Sequence, residues 1–198
     1  MRMIKFALAI VFVVAGIVFL TNQMAEAKSS RFTNTFSGAG LTVPLDLDGS
    51  NPAALSTYIS GGGKTSGGVS PGPYTYQSVS EVVADTVGTG CPLLGTTTCP
   101  INGSMGCLFD IVAASSVIRN NESGDLLSSK LTSGTVCLDF STLGYVYSDD
   151  GNFTGGTGEA DGVTGTFHDT GSGQFLNINA AGQTFGWDHG TRTGTMNK

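Results

Sequence analysis

The sequence predicts an all-β domain: an antiparallel up-and-down β-barrel of about eight main strands, with a β-sandwich as the alternative. Three observations lead there. Charged residues make up only 12% of the chain, too few to give soluble helices their polar outer face. Phe, Tyr, Val and Ile recur along its whole length in short alternating runs, which argues for strands and against a disordered composition. The runs are separated by turns drawn from 30 glycines, the punctuation of short hairpin-connected strands. Such strands either close on themselves or stack as two sheets, because open edges pair with other chains.

The first element lies outside the barrel. Arg2 and Lys5 precede an apolar run at residues 6–20, followed by Ala25-Glu26-Ala27. A positive start, an apolar centre and small residues at the end form a secretory signal peptide, and the run is shorter than the roughly 20 residues of a spanning helix. The chain therefore divides into a signal at 1–27 and a single barrel-like domain at 28–198, expected to be secreted or periplasmic. Removing Arg2, Lys5 and Glu26 with the signal leaves a net charge of -7. No basic patch remains to release counterions from nucleic acid, and no cationic helix to lie on a membrane. Neither is an expected partner.

Residues 31–37 and 41–48 read as opening strands. Leu41, Val43, Leu45 and Leu47 fall on one face, the pattern of a half-buried strand, and Pro44 removes a ladder donor, which suits an edge or a bulge. A strand at 55–60 precedes a glycine-rich loop at 61–72, and a strand at 74–83 carries Tyr74 and Tyr76 on one parity and Val79 and Glu81 on the other. Residues 107–123 fit helical spacing at Leu108, Ile111 and Val112 and strand spacing at Phe109, Ile111, Ala113 and Val117. β-branched and aromatic side chains favour the strand. Glu122-Ser123-Gly124-Asp125 turns it into a strand at 126–132. Further strands are expected at 135–140, 144–148, 163–169, 174–180 and 183–189, with turns at Asp149-Asp150-Gly151-Asn152 and Ala181-Gly182.

Four cysteines, Cys91, Cys99, Cys107 and Cys137, in an exported chain predict two disulfides. Their spacing has no C-x-x-C pair and neither histidine lies near them, which argues against zinc. Three connectivities are open. The G-x-S-x-G at residues 68–72 lacks the preceding strand and following helix of a nucleophile elbow, since Pro71 and Pro73 flank its end. Asp46-Leu47-Asp48-Gly49-Ser50-Asn51 opens like a calcium loop, but Asn51 and Thr57 stand where glycine and a bidentate glutamate belong. No catalytic residue, metal or cofactor is assigned. His168 and His189 titrate near neutrality, yet the adjoining Asp169 and Asp188 point to the opposite face of their strands. Both histidines read as surface or rim residues. Glu81 and Arg119 pair with each other or line a cavity, and Trp187 is core or cavity wall. The candidate cavity residues are thus Tyr76, Glu81, Arg119, His168 and Trp187.

At residues 155–165, Gly-Gly-Thr-Gly-Glu-Ala-Asp-Gly-Val-Thr-Gly followed by Thr166-Phe167 resembles the G-G-T-G-x-F-x-G-x-x-G signature of barrels similar to allene oxide cyclases and plant dirigent proteins. Uncharacterised exported bacterial proteins look like this too. Gln77-Ser78-Val79-Ser80-Glu81, Ser123 to Leu127 and Leu131 to Cys137 add to the resemblance; Ala160 departs from it, standing where the signature has an aromatic. The resemblance implies an eight-stranded antiparallel barrel with a central cavity, and disulfides Cys99–Cys137 and Cys91–Cys107. It carries no catalytic residue onto this chain. The leading expectation is a non-enzymatic barrel that binds a small apolar ligand or a surface partner, since small barrels hold one small ligand. The alternatives are a cyclase-like or dirigent-like enzyme steering a reactive intermediate, and a structural envelope or matrix component. A buried cluster of Tyr76, Glu81, Arg119 and His168 would favour the enzyme.

Overall fold

The computed structural model describes residues 28–47, 49, 54–84, 97–179 and 181–198. Its main strands are β1 Ser29–Pro44, β2 Leu55–Gly67, β3 Gly72–Ala84, β5 Met105–Asn120, β6 Leu126–Asp139, β7 Gly144–Gly156, β8 Thr164–Ile178 and β9 Thr184–Asn197, with a two-residue β4 at Thr97–Thr98. Every main strand pairs antiparallel with its neighbours in chain order, β3 pairs β5, and β1 closes the ring on β9. The domain is a closed eight-stranded up-and-down barrel. Closure leaves no long open edge and removes the sandwich alternative. No α-helix occurs among the described residues.

The eight main strands are longer than the short runs read from the sequence, at 13 to 16 residues each, because neighbouring runs merge into one strand. Residues 61–67 belong to β2 and not to a loop, pairing from Gly61 opposite Gly38 to Gly67 opposite Phe32. The acidic turn expected at 149–152 lies inside β7, and the segments on either side of 170–173 are one strand, β8. A barrel supplies pairing on both sides of each strand, so glycine and aspartate, poor strand formers in isolation, are carried through. The turns at 122–125 and 181–182 are where the sequence places them. Pro44 ends β1 beyond the reach of β9, whose pairing stops at Thr42 opposite Thr184, so its missing donor costs nothing there.

Strand parity differs from the expected one in two places. Leu41, Leu45 and Leu47 are exposed, and Phe32, Asn34, Phe36 and Thr42 face inward instead. A one-residue slip exchanges the two faces of a strand, and the aromatic anchors Phe32 and Phe36, both packed in the core, decide it. Residues 107–120 form the expected strand, but the register shift opposite Glu81 and Val82 leaves Val112 unpaired with β3. This bulge moves the inward set from Phe109 and Ile111 to Ala114, Ser116 and Ile118.

One end of the barrel is plugged. Gly158–Ala160 form a 3-10 turn after β7, and Ala160 and Val163 insert among Phe32, Phe153, Phe167, Leu127 and Met196. Gly155, Gly158, Gly162 and Gly165 all take positive φ, the backbone that this connection requires and that glycine adopts without strain. Near the other end, Cys99 is bridged to Cys137, with Cα atoms 5.9 Å apart. Cys107 is also disulfide-bonded; its expected partner, Cys91, lies outside the described residues.

Candidate ligand cavity

The cavity arises from how inward residues line up across neighbouring strands. Register places Phe32, Gly194, Phe167 and Gly151 in one row across β1, β9, β8 and β7. The next row inward is Asn34, Arg192, Asp169 and Asp149, then Phe36, Gly190, Gly171 and Tyr147, then Gly38, Asp188, Gly173 and Tyr145. Glycines make room for the rings. A Cβ on Gly171 would strike the Tyr147 hydroxyl, one on Gly173 the Tyr145 ring, and one on Gly190 would come within 2.7 Å of Phe36 and of Tyr147. Alternation of large and absent side chains is how a small barrel fits its interior.

Packing of this kind does not fill the barrel. A cavity of about 170 Å³ remains, bounded toward the plug by Tyr74, Ile118 and Phe167 and toward the other end by the partly buried Leu55, Val82, Tyr145 and Phe175. Its walls are mainly apolar and aromatic. The row of Asn34, Arg192, Asp169 and Asp149 crosses them as one band, and Asp188 adds a further carboxyl two rows away.

Within that band Arg192 is committed. Its Nε donates to both Asp169 oxygens at 2.7 and 3.0 Å, its Nη2 donates to Asp169 Oδ2 at 2.7 Å, and its guanidinium lies 4.0 Å from the centre of the Phe167 ring. Burial pulls the Arg192 pKa down, but the charge and hydrogen bonds of Asp169, with smaller contributions from Asp149 and Tyr74, together turn the net shift upward. Asp149 is the neighbouring acid. Burial first, then the Asp169 charge, pushes its carboxyl up to about 8 against the pull of Arg192, so it is a protonated donor toward Asp169 at neutral pH. Burial also raises Asp188, while the Tyr76 hydroxyl, donating to its Oδ1 at 3.4 Å, and the nearby Tyr147 hydroxyl act in the opposite direction. Burial holds Tyr74, Tyr76, Tyr145 and Tyr147 above the usual phenol range. All four stay neutral.

Three buried polar atoms of cavity-lining residues have no hydrogen-bond partner: Asn34 Oδ1, Asp149 Oδ1 and Tyr147 Oη. Leaving such an atom unpaired costs roughly 1–3 kcal/mol. The polar band is therefore incomplete within the protein itself.

Of the five residues proposed from sequence, Tyr76 lines this cavity. The others do not. Glu81 is buried, but on the outward parity at the bulge, where its Oε2 accepts from the Leu47 backbone at 3.0 Å. Arg119 is exposed on β5, and the two form no ion pair, because the register sets Arg119 opposite Thr75 and Glu81 opposite Ala113, well apart along the β3–β5 ladder. His168 lies on the outer surface with Nδ1 2.9 Å from Asp150 Oδ1. Trp187 is 40% exposed and stacks on His189 outside the barrel with ring centres 5.4 Å apart. Asn34, Asp149, Asp169, Asp188 and Arg192 were missed. A signal for three of them existed: Asp188, Gly190 and Arg192 keep one parity, as do Phe167, Asp169 and Gly171, but ending the last strand at 189 left Arg192 outside it.

No family model, curated protein or solved structure matched the chain. The functional reading thus rests on the cavity.

Proposed function

We propose that this is an exported, non-enzymatic barrel whose role is to bind one small, mainly apolar molecule in its central cavity. The observation that carries the reading is the cavity itself, about 170 Å³ with largely apolar walls. Engineered cavities of about 150 Å³ take up benzene, so the ligand is of single-ring size. Export is supported by the charged-then-apolar start of the chain and by the Cys99–Cys137 bridge, which suits an oxidising compartment. The resemblance to cyclase-like and dirigent-like barrels fits the same architecture. Binding is preferred over catalysis because Glu81, Arg119 and His168, the residues of the expected acid–base cluster, lie away from the cavity.

No described helix is long and apolar enough to cross a membrane. A strand-built membrane barrel needs an apolar outer band about 25 Å tall; here the outward residues of β9 include Thr191, Thr193 and Thr195, flanked by Thr33 and Thr35 on β1 and Thr166 and Thr170 on β8. That face of the barrel interrupts any apolar outer band.

Native mass spectrometry of protein purified from its producing cells tests the reading. A retained small molecule is expected on the parent and lost from Ala114→Trp, whose indole would occupy most of the space while strand content by circular dichroism is unchanged. Repeated absence of any bound mass, or its retention by the filled variant, would overturn it.

A further inference from the structure

We propose that the cavity ligand is a cation: a small aromatic or cyclic amine whose ammonium group sits at the Asp149 carboxyl, in a cavity whose second acid without a cation, Asp188, lies two rows away. This rests on the cavity-binding reading and adds the ligand's charge.

The first argument is charge balance. Among the described residues lining the cavity there are three carboxyl groups, Asp149, Asp169 and Asp188, and one basic side chain, Arg192. Arg192 is fully engaged by Asp169 on one side and Phe167 on the other. Asp149 and Asp188 are left with no cation of their own. Both are almost fully buried, at 7% and 4% exposure, where a carboxylate without a cation is costly; Asp149 meets that cost by holding its proton, and Asp188 by accepting from the Tyr76 hydroxyl at 3.4 Å.

The second argument is the type of atom left unsatisfied. Asp149 Oδ1 and Asn34 Oδ1 are acceptors without donors, on residues 7% and 2% exposed. An ammonium offers three donors and no acceptor. An alcohol offers one donor, and a carboxylate none. The rings of Phe36, Tyr76, Tyr145 and Tyr147 complete the surroundings, and aromatic faces attract cations, the more so where water is excluded.

Proton bookkeeping follows from the same geometry. With the cavity empty of cations, Asp149 keeps its proton; an ammonium arriving beside it favours the carboxylate, and the proton leaves to solvent. Asp149 on β7 is faced by Asp169 on β8 and Arg192 on β9, with Asp150 next to it in the chain, and by the uncharged Gly134 and Ile111 from β6 and β5. Asp188 on β9 is faced by Tyr76 on β3 and by Tyr145 and Tyr147 on β7, with His189 adjoining it in the chain. None of these groups supplies a second free cation. Binding should release up to one proton per ligand.

Isothermal titration at pH 7 with benzylamine, benzyl alcohol and benzoate, each in phosphate and in Tris, tests this. Benzylamine should bind at least about tenfold more tightly than benzyl alcohol, benzoate should not bind, and the benzylamine heat should differ between buffers in the direction of proton release. D149N should abolish the buffer dependence, and D188N should weaken benzylamine more than benzyl alcohol; either variant suffices if the other fails to fold. Benzyl alcohol binding as tightly as benzylamine, or a heat independent of buffer, would overturn the amine while leaving the cavity reading intact. Binding by none of the three would overturn the cavity reading as well.

Discussion

Asp149 shows how one buried side chain sets a solution property of the protein. Its carboxyl titrates at about 8 in the folded barrel against 3.8 ordinarily, so the folded state binds the proton more strongly than the unfolded chain. The stability linked to this group is full below about pH 4 and is lost as pH rises through about 8. Asp149→Asn keeps a donor toward Asp169 and cannot ionise. The variant should therefore match the parent in Tm at pH 4 and exceed it clearly at pH 8.5. Parallel Tm-versus-pH curves for the two proteins would contradict the assignment. At this scale little was legible in the sequence. Asp149 and Asp150 look alike there, and only their alternate directions within a strand make one a buried acid and the other a surface partner of His168. His168 and Asp169 were correctly read as facing apart, which implies one inward member, but nothing local in the sequence chose which.

At the scale of the element, the glycines were the main source of error and are the main structural result. The sequence reading assigned residues 61–72 to a loop, whereas Gly61 and Gly63 sit inside β2 beneath Tyr76 and Tyr74. The period-two pattern remained informative where large residues marked both phases, as in β3, and failed where the inward phase is glycine and the outward phase leucine, as in β1 near Gly40 and Leu41. Exposed leucines outscored absent side chains. Gly38 provides the test. A Cβ there would strike the Tyr76 hydroxyl and approach Ile59 Cγ2 at 2.9 Å and Asp188 Oδ1 at 3.0 Å. Gly38→Ala should destabilise the barrel by about 1–3 kcal/mol in urea unfolding. Tyr76→Phe, which removes the oxygen it strikes, should cost less in the Gly38→Ala background than in the parent. Additive effects, within about 0.3 kcal/mol, would show that the glycine is not a seat for the ring.

For the whole molecule, composition and alternation were enough for fold class, because low charge, frequent turns and recurring β-formers leave only closed or stacked sheets. The choice between barrel and sandwich was not fixed by periodicity, which both satisfy; the eight-stranded closed form came with the resemblance carried by the glycine turns at 155–165. The cavity is a property of closure alone. It forms where eight inward faces meet, so its polar band of Asn34, Arg192, Asp169 and Asp149 joins residues up to 158 positions apart. The central claim is that this interior, rather than the outer surface, takes up a small molecule. The outer surface offers a fair competitor, since Val79, Tyr58, Leu41 and Phe185 are cross-strand neighbours and all exposed. The direct measurement is a methyl-resolved NMR titration with benzyl alcohol. Saturable, single-site shifts are expected at the inward Ile59, Ile111 and Leu131 with the outward Leu41, Val79 and Leu176 unmoved. Shifts confined to the outward methyls, or no saturable shift at the inward ones, would contradict that claim.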